Sequence, residues 1–299
     1  MANTSFKRLT RGALLTVALV GAASASASEI IPFAPDGDGN YVDIGSFAWL
    51  PGNALAVGAV PIGVGGDDPF QFYYQAVLGS IVAPDGTTTI PFTGQYTLQM
   101  AFQETVLSAS NPATFELAPG GVNFLSIYYN DTIVVDGLAG TGFDAGDVIW
   151  QGNVTADSSV FFVPNFDDIQ LLDQFGGADE LGGQLTVVGQ GGGSTVARST
   201  SYDPLFFGTT PLQLIVDFTT NLRTPFNQTQ PSLSVVGNTP NYGGINGVGG
   251  DGTAPWDFHF QADASMAFER VPVPEPGSMA LVGLGLLALG AVAGRRRNA

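Results

Sequence analysis

Side chains able to do covalent chemistry are scarce in this 299-residue chain, which has no cysteine and a single histidine, His259. Without Cys there is no thiol nucleophile, disulfide, iron–sulfur cluster or thiolate zinc site. His259 falls on the polar side of the alternating run WDFHFQADASMAF, and no G-x-S-x-G stands nearby to pair it with an activated serine. It reads as a solvated strand histidine. Acidic residues number 26, and paired carboxyls are what glycoside hydrolysis requires. The pairs Asp67-Asp68, Asp167-Asp168 and Asp179-Glu180 nevertheless read as loop acids, and the chain is expected not to be an enzyme. Oxygen donors are the better prospect. APDGDGNYVD sets Asp36, Asp38, Asn40 and Asp43 on a Gly-rich loop, flexible backbone of the kind that lets several oxygens converge on calcium. It is not an EF-hand, because the position of the closing bidentate Glu is Phe47. Tyr73-Tyr74 and Tyr128-Tyr129 are neighbours in apolar runs, so on a strand one ring of each pair faces away from the other. Tyr73 and Tyr129 are the candidates for stacking on a sugar.

Strands must position these groups. In FQFYYQAVL, Phe70, Phe72, Tyr74, Ala76 and Leu78 alternate with Gln71, Tyr73 and Gln75, and the same period of two runs through QYTLQMAFQ, LQLIVDFTT and WDFHFQADASMAF. Shorter strand candidates are FLSIYYN, TIVVD, DVIWQGNV, SVFFV, LTVVG and SLSVV. Turn chemistry separates them in APDGDGN, GGDDP, APDG, LAPGG, GQGGGS and GGINGVGGDG. NFDDIQLLDQF is ambiguous, and no other stretch of the body reads as an amphipathic helix. This pattern predicts one all-β domain over residues 28–271, an antiparallel β-sandwich or jelly roll, with the glycines at 189–193 as a hairpin loop.

Both ends differ from the body. Residues 1–27 carry Lys7, Arg8 and Arg11 ahead of the apolar run from Ala13 to Ala22 and the small residues SASAS. That is the design of a secretory signal helix, with Ala25 and Ala27 placing cleavage after Ala27. At the other end, residues 272–299 combine a Pro-rich hinge, an apolar span from Met279 to Gly294 expected to form a membrane helix, and the cluster Arg295, Arg296 and Arg297. The arginines hold the tail on the cytoplasmic side and leave the body across the membrane. Between these ends the only basic residues are Arg198, Arg223 and Arg270, so the working body has a formal charge near −23. A body so acidic excludes nucleic acid as a partner.

The tail resembles the PEP-CTERM sorting signal, through Pro274-Glu275-Pro276, the apolar span and the basic terminus. The resemblance implies a Gram-negative envelope, processing by an exosortase, transient membrane anchoring through the tail, and exopolysaccharide production. The body is in turn similar to the flocculation-associated PEP-CTERM proteins, in WLPGNALAVGAV, FQFYYQA, SIYYND, AGTGFDAGD, GGINGVGG and FHFQADASMAFE. That likeness implies a surface or matrix protein supporting flocs or biofilm, with extracellular polysaccharide as partner and no catalytic residues. The alternative function is a calcium-assisted carbohydrate-binding module.

Overall fold

The computed structural model describes residues 29–59, 69–108, 112–136, 140–162, 169–171, 185–187, 190–209, 213–221 and 256–269. The elements are β1 (Ile31–Phe33), β2 (Val42–Ile44), β3 (Ser46–Trp49), β4 (Gly52–Ala59), β5 (Phe70–Val82), β6 (Thr89–Ile90), β7 (Gln95–Ser108), β8 (Ala113–Ala118), β9 (Phe124–Asn130), β10 (Asp147–Phe162), β11 (Ile169–Leu171), β12 (Leu185–Val187), β13 (Gln190–Tyr202), β14 (Gln213–Asn221) and β15 (Trp256–Glu269). Among the described residues there is no helix, and hence none long and apolar enough to cross a membrane. The two terminal helices expected from the sequence lie outside the described residues.

The all-β, antiparallel character expected from the alternation is what the chain adopts, and its main sheet closes on itself. Going round the ring, β3 and β4 pair β5, β5 pairs β7, β7 pairs β8 and β9, and both of these pair β10. Then β10 pairs β13, β13 pairs β14, β14 pairs β15, and β15 returns to β3 and β4. Ten strands fill eight positions, because β3 with β4 and β8 with β9 are each one strand interrupted. The first break is at Leu50-Pro51, where proline has no N–H for a ladder. The second spans 119–123, and its glycines Gly120 and Gly121 take positive φ, 105° and 61°. Gln71 clamps that break, its amide accepting from Val122 N at 3.1 Å and donating to Val122 O at 2.9 Å. Closure removes the exposed sheet edge that an open antiparallel sheet would carry.

Side chains fill the interior. Phe72, Tyr74, Ala76 and Leu78 on β5, Tyr96, Leu98, Met100 and Phe102 on β7, and Leu214 and Val216 on β14 are all buried in one core, as the alternation requires. One pole is sealed by the β1–β2 ribbon. The Phe33 ring lies 5.2 Å from Phe47 and 5.0 Å from Phe207, while Ala34 N donates to Phe206 O and Gly208 N to Pro32 O. At the same pole the Glu29 amide donates to the Phe268 carbonyl at 2.9 Å.

Three local expectations are corrected. GQGGGS is not a hairpin loop: Gln190, Gly191, Gly192 and Gly193 are strand residues of β13, paired with Phe162, Phe161, Val160 and Ser159 on one side and with Asn221, Thr220, Thr219 and Phe218 on the other. Pairing on both sides overrides the turn preference of glycine. TIVVD forms no strand; Asp136 stands in an isolated bridge with Thr141, and Ile133 is 80% exposed. DVIWQGNV and SVFFV are one strand, β10, whose irregularities at Gln151/Gly152 and Val154/Ala156 break the period of two that would have joined them in the sequence.

Candidate functional site

The inward row of β7 continues past Phe102 to Glu104, a carboxyl in a position whose neighbours are apolar. Its register partners are Phe70 on β5 and Leu117 on β8. Across β8, the bulge in β10 brings Asp157 opposite Thr195 of β13, itself in register with Val216. Four polar side chains thus meet inside the barrel, away from the pole sealed by the ribbon. Ser159 Oγ donates to Glu104 Oε1 at 2.6 Å, and Thr195 Oγ1 donates to Asp157 Oδ1 at 2.5 Å.

Burial pushes the Glu104 carboxyl well above the usual carboxylate range, and the negative charge of Asp157 pushes it in the same direction. Asp157 is raised as well, chiefly by burial. Ser159 is two residues from Asp157 on the same side of β10, so the two carboxyls are neighbours, and a proton shared between them pushes Glu104 up and Asp157 down. Without that proton, Asp157 Oδ2 is buried and has no partner among the described residues.

A second polar feature lies on the outer surface of the ring. Asn53, Gln75, Gln99 and Ser126 stand in one register row across β4, β5, β7 and β9, and all four are buried. Among the described residues, both amide atoms of Gln75 are without a hydrogen-bond partner.

The residues singled out in the sequence are dispersed. Asp36, Asp38 and Asn40 lie on the β1–β2 turn, with Gly37 and Gly39 at positive φ. The ring of Phe206 packs on Gly37 in the space where a Cβ would stand. Asp36 Oδ1 accepts from the Thr93 amide at 3.0 Å and from its hydroxyl at 2.7 Å. Asp38 accepts from the backbone and side-chain amides of Asn40, at 2.9 and 2.6 Å, and these bonds lower its pKa. Asp43 is exposed in β2, opposite Pro32. Among the described residues no three acidic or histidine side chains gather closely enough to hold a metal ion. Tyr73 is on the outer side of β5, half-buried, its hydroxyl pKa raised by burial. Tyr129 instead packs inward, 4.9 Å from both Tyr96 and Phe206, and Tyr128 takes the outward place. The backbone of His259 lies in β15 opposite Leu55. Asp67, Asp68, Asp167, Asp168, Asp179, Glu180, Ala25, Ala27, Pro274, Glu275, Pro276, Arg295, Arg296 and Arg297 lie outside the described residues.

β15 ends at Glu269, and residues 272–297 match the PEP-CTERM protein-sorting motif. The chain carries a PEP-CTERM sorting tail. The match takes in Pro274-Glu275-Pro276, the apolar span and the three arginines. A PEP-CTERM motif is the signal by which an exosortase recognises an exported protein and directs it to the cell surface in Gram-negative bacteria. No curated protein and no solved structure matches the chain.

Proposed function

We propose that the barrel is a non-enzymatic matrix protein, delivered by its PEP-CTERM tail and supporting floc or biofilm formation among extracellular polysaccharides. The observation that carries this reading is the sorting motif itself, beginning three residues after the last strand of an acidic barrel. The resemblance of the body to flocculation-associated PEP-CTERM proteins supports it further. With a formal charge near −23, the body is repelled by anionic polymers unless divalent cations such as calcium bridge the two. Bridging of this kind needs no single coordinated site. The tail anchors the protein transiently to the membrane until the exosortase processes it.

Deleting the gene and following settling of the culture tests the proposal. Settling is expected to slow, to recover with the full gene, and not to recover with a version lacking residues 272–299. Normal settling in the deletion strain removes the proposed role. A calcium-assisted carbohydrate-binding module is the second reading, favoured by the outward, half-buried ring of Tyr73. Loss of sugar binding on Tyr73→Ala, with settling unaffected, selects it over the first.

A further inference from the structure

We infer that Glu104 and Asp157 hold one proton between them, and that this proton closes the corner of the barrel where β7, β10 and β13 meet, so that this corner loosens as the surroundings become alkaline. The geometry leaves the carboxyls few other partners. Ser159 serves Glu104 Oε1, Thr195 serves Asp157 Oδ1, and Asp157 Oδ2 is buried without a hydrogen-bond partner among the described residues, beside the Glu104 carboxyl. Ionising both groups would put two negative charges in contact inside the barrel, a state that nothing nearby compensates.

The strands around the pair supply no counter-charge among the described residues. Phe70 on β5, Leu117 on β8, and Val216 on β14 with its partner Met266 on β15 are the inward register neighbours, all uncharged. Of the other described charged side chains on these elements, Asp147 on β10, Glu116 on β8, Arg198 on β13, Asp217 on β14 and Asp263 on β15 are exposed, and Glu269, at the end of β15, accepts from the Gln213 amide at 2.7 Å. β5 carries no acidic or basic residue, and β7 has none besides Glu104. The latch therefore ties three strand positions with a hydrogen bond that exists in only one protonation state.

The direction of the effect follows from linkage. A carboxyl raised in the folded state binds its proton more tightly there than in the unfolded chain, where a Glu titrates near about 4.3. Its contribution is complete below that value and is lost as pH rises through the folded one, by tenfold in the folding equilibrium per pH unit between the two. Composition makes this visible. With no Cys, and Lys7 as the sole lysine, the only side chain in the sequence whose ordinary value lies between pH 6 and 8 is His259.

Thermal unfolding of the full chain in mild detergent with EDTA, from pH 5 to 9, tests the inference, alongside the infrared carbonyl band of a neutral carboxylic acid at pH 7. The wild type is expected to show that band and to lose several degrees of Tm toward pH 9, with His259→Gln behaving the same. Glu104→Gln keeps a donor facing Asp157 and an acceptor for Ser159, so it is expected to abolish the band and flatten the profile. Absence of the band in the wild type overturns the inference, and that measurement needs no variant to fold. A pH slope shared by wild type, Glu104→Gln and Asp157→Asn overturns it too. Stabilisation of the wild type by calcium at pH 8, lost in Glu104→Gln, would make the pair a cation site and reject the shared proton.

Discussion

A polar atom inside a protein carries a cost set by its partners, and two residues here show opposite outcomes. Tyr74 is fully buried on β5, yet its hydroxyl donates to the Ala262 carbonyl at 3.0 Å, so its ring enters the core without an orphaned group. Gln75, the next residue, is 1% exposed and pairs neither end of its amide among the described residues. An unmade buried hydrogen bond costs about 1–3 kcal/mol, whereas an apolar side chain of the same shape avoids that cost. Gln75→Met is expected to raise stability by about 1 kcal/mol, seen as a Tm increase of about 2–4 °C in a scan. A fall in Tm would mean that an ordered water or ligand satisfies the amide. Glu104 was legible in the sequence, because the alternation through Tyr96, Leu98, Met100 and Phe102 places the next inward side chain at 104. Asp157 was not legible: the bulge at Val154/Ala156 shifts the phase of β10, and no local pattern announces a bulge.

Among the elements, β13 tests which of two effects governs a strand. Its first four residues, Gln190 to Gly193, have the composition of a loop and lie in the middle of a sheet. If strand propensity governed, Gly191→Val would stabilise, since a β-branched residue gains up to about 1 kcal/mol over glycine. Close packing argues the reverse. A Cβ at Gly191 would stand 2.5 Å from the Val160 carbonyl oxygen and 2.8 Å from Phe161 Cδ2. The expected outcome is a loss of about 1–3 kcal/mol by denaturant titration, as for other overpacked sites. The alternating strands β5, β7, β14 and β15 were all readable because one face of each meets the core. The interrupted strands were readable only in pieces, since a proline or a pair of glycines looks the same at a break as at a turn. Closure of the ring was not readable at all. It rests on β15 finding β3 and β4 some two hundred residues earlier, and no pattern within one segment specifies a partner so distant.

At the scale of the whole molecule, charge and attachment set how the protein meets its surroundings. An acidic surface with so few arginines recruits cations collectively, and that attraction is screened within about 8 Å at physiological ionic strength. Washing flocs with a chelator is expected to release the protein, tracked by immunoblot, while monovalent salt at equal ionic strength releases less; retention through both washes would exclude divalent bridging. The hydrogen bond from Glu29 to Phe268 has a mechanical consequence. It fixes the entry and the exit of the barrel at one pole, so a tether at either end of the folded body pulls on the same point. The sixteen residues of β10 extend about 50 Å along the strand, or roughly 40 Å along the axis of a barrel with ordinary strand tilt. Held by such a tether, a protein of this shape would stand like a buoy on a single line, its ribbon-sealed pole toward the point of attachment and its other rim carried outward.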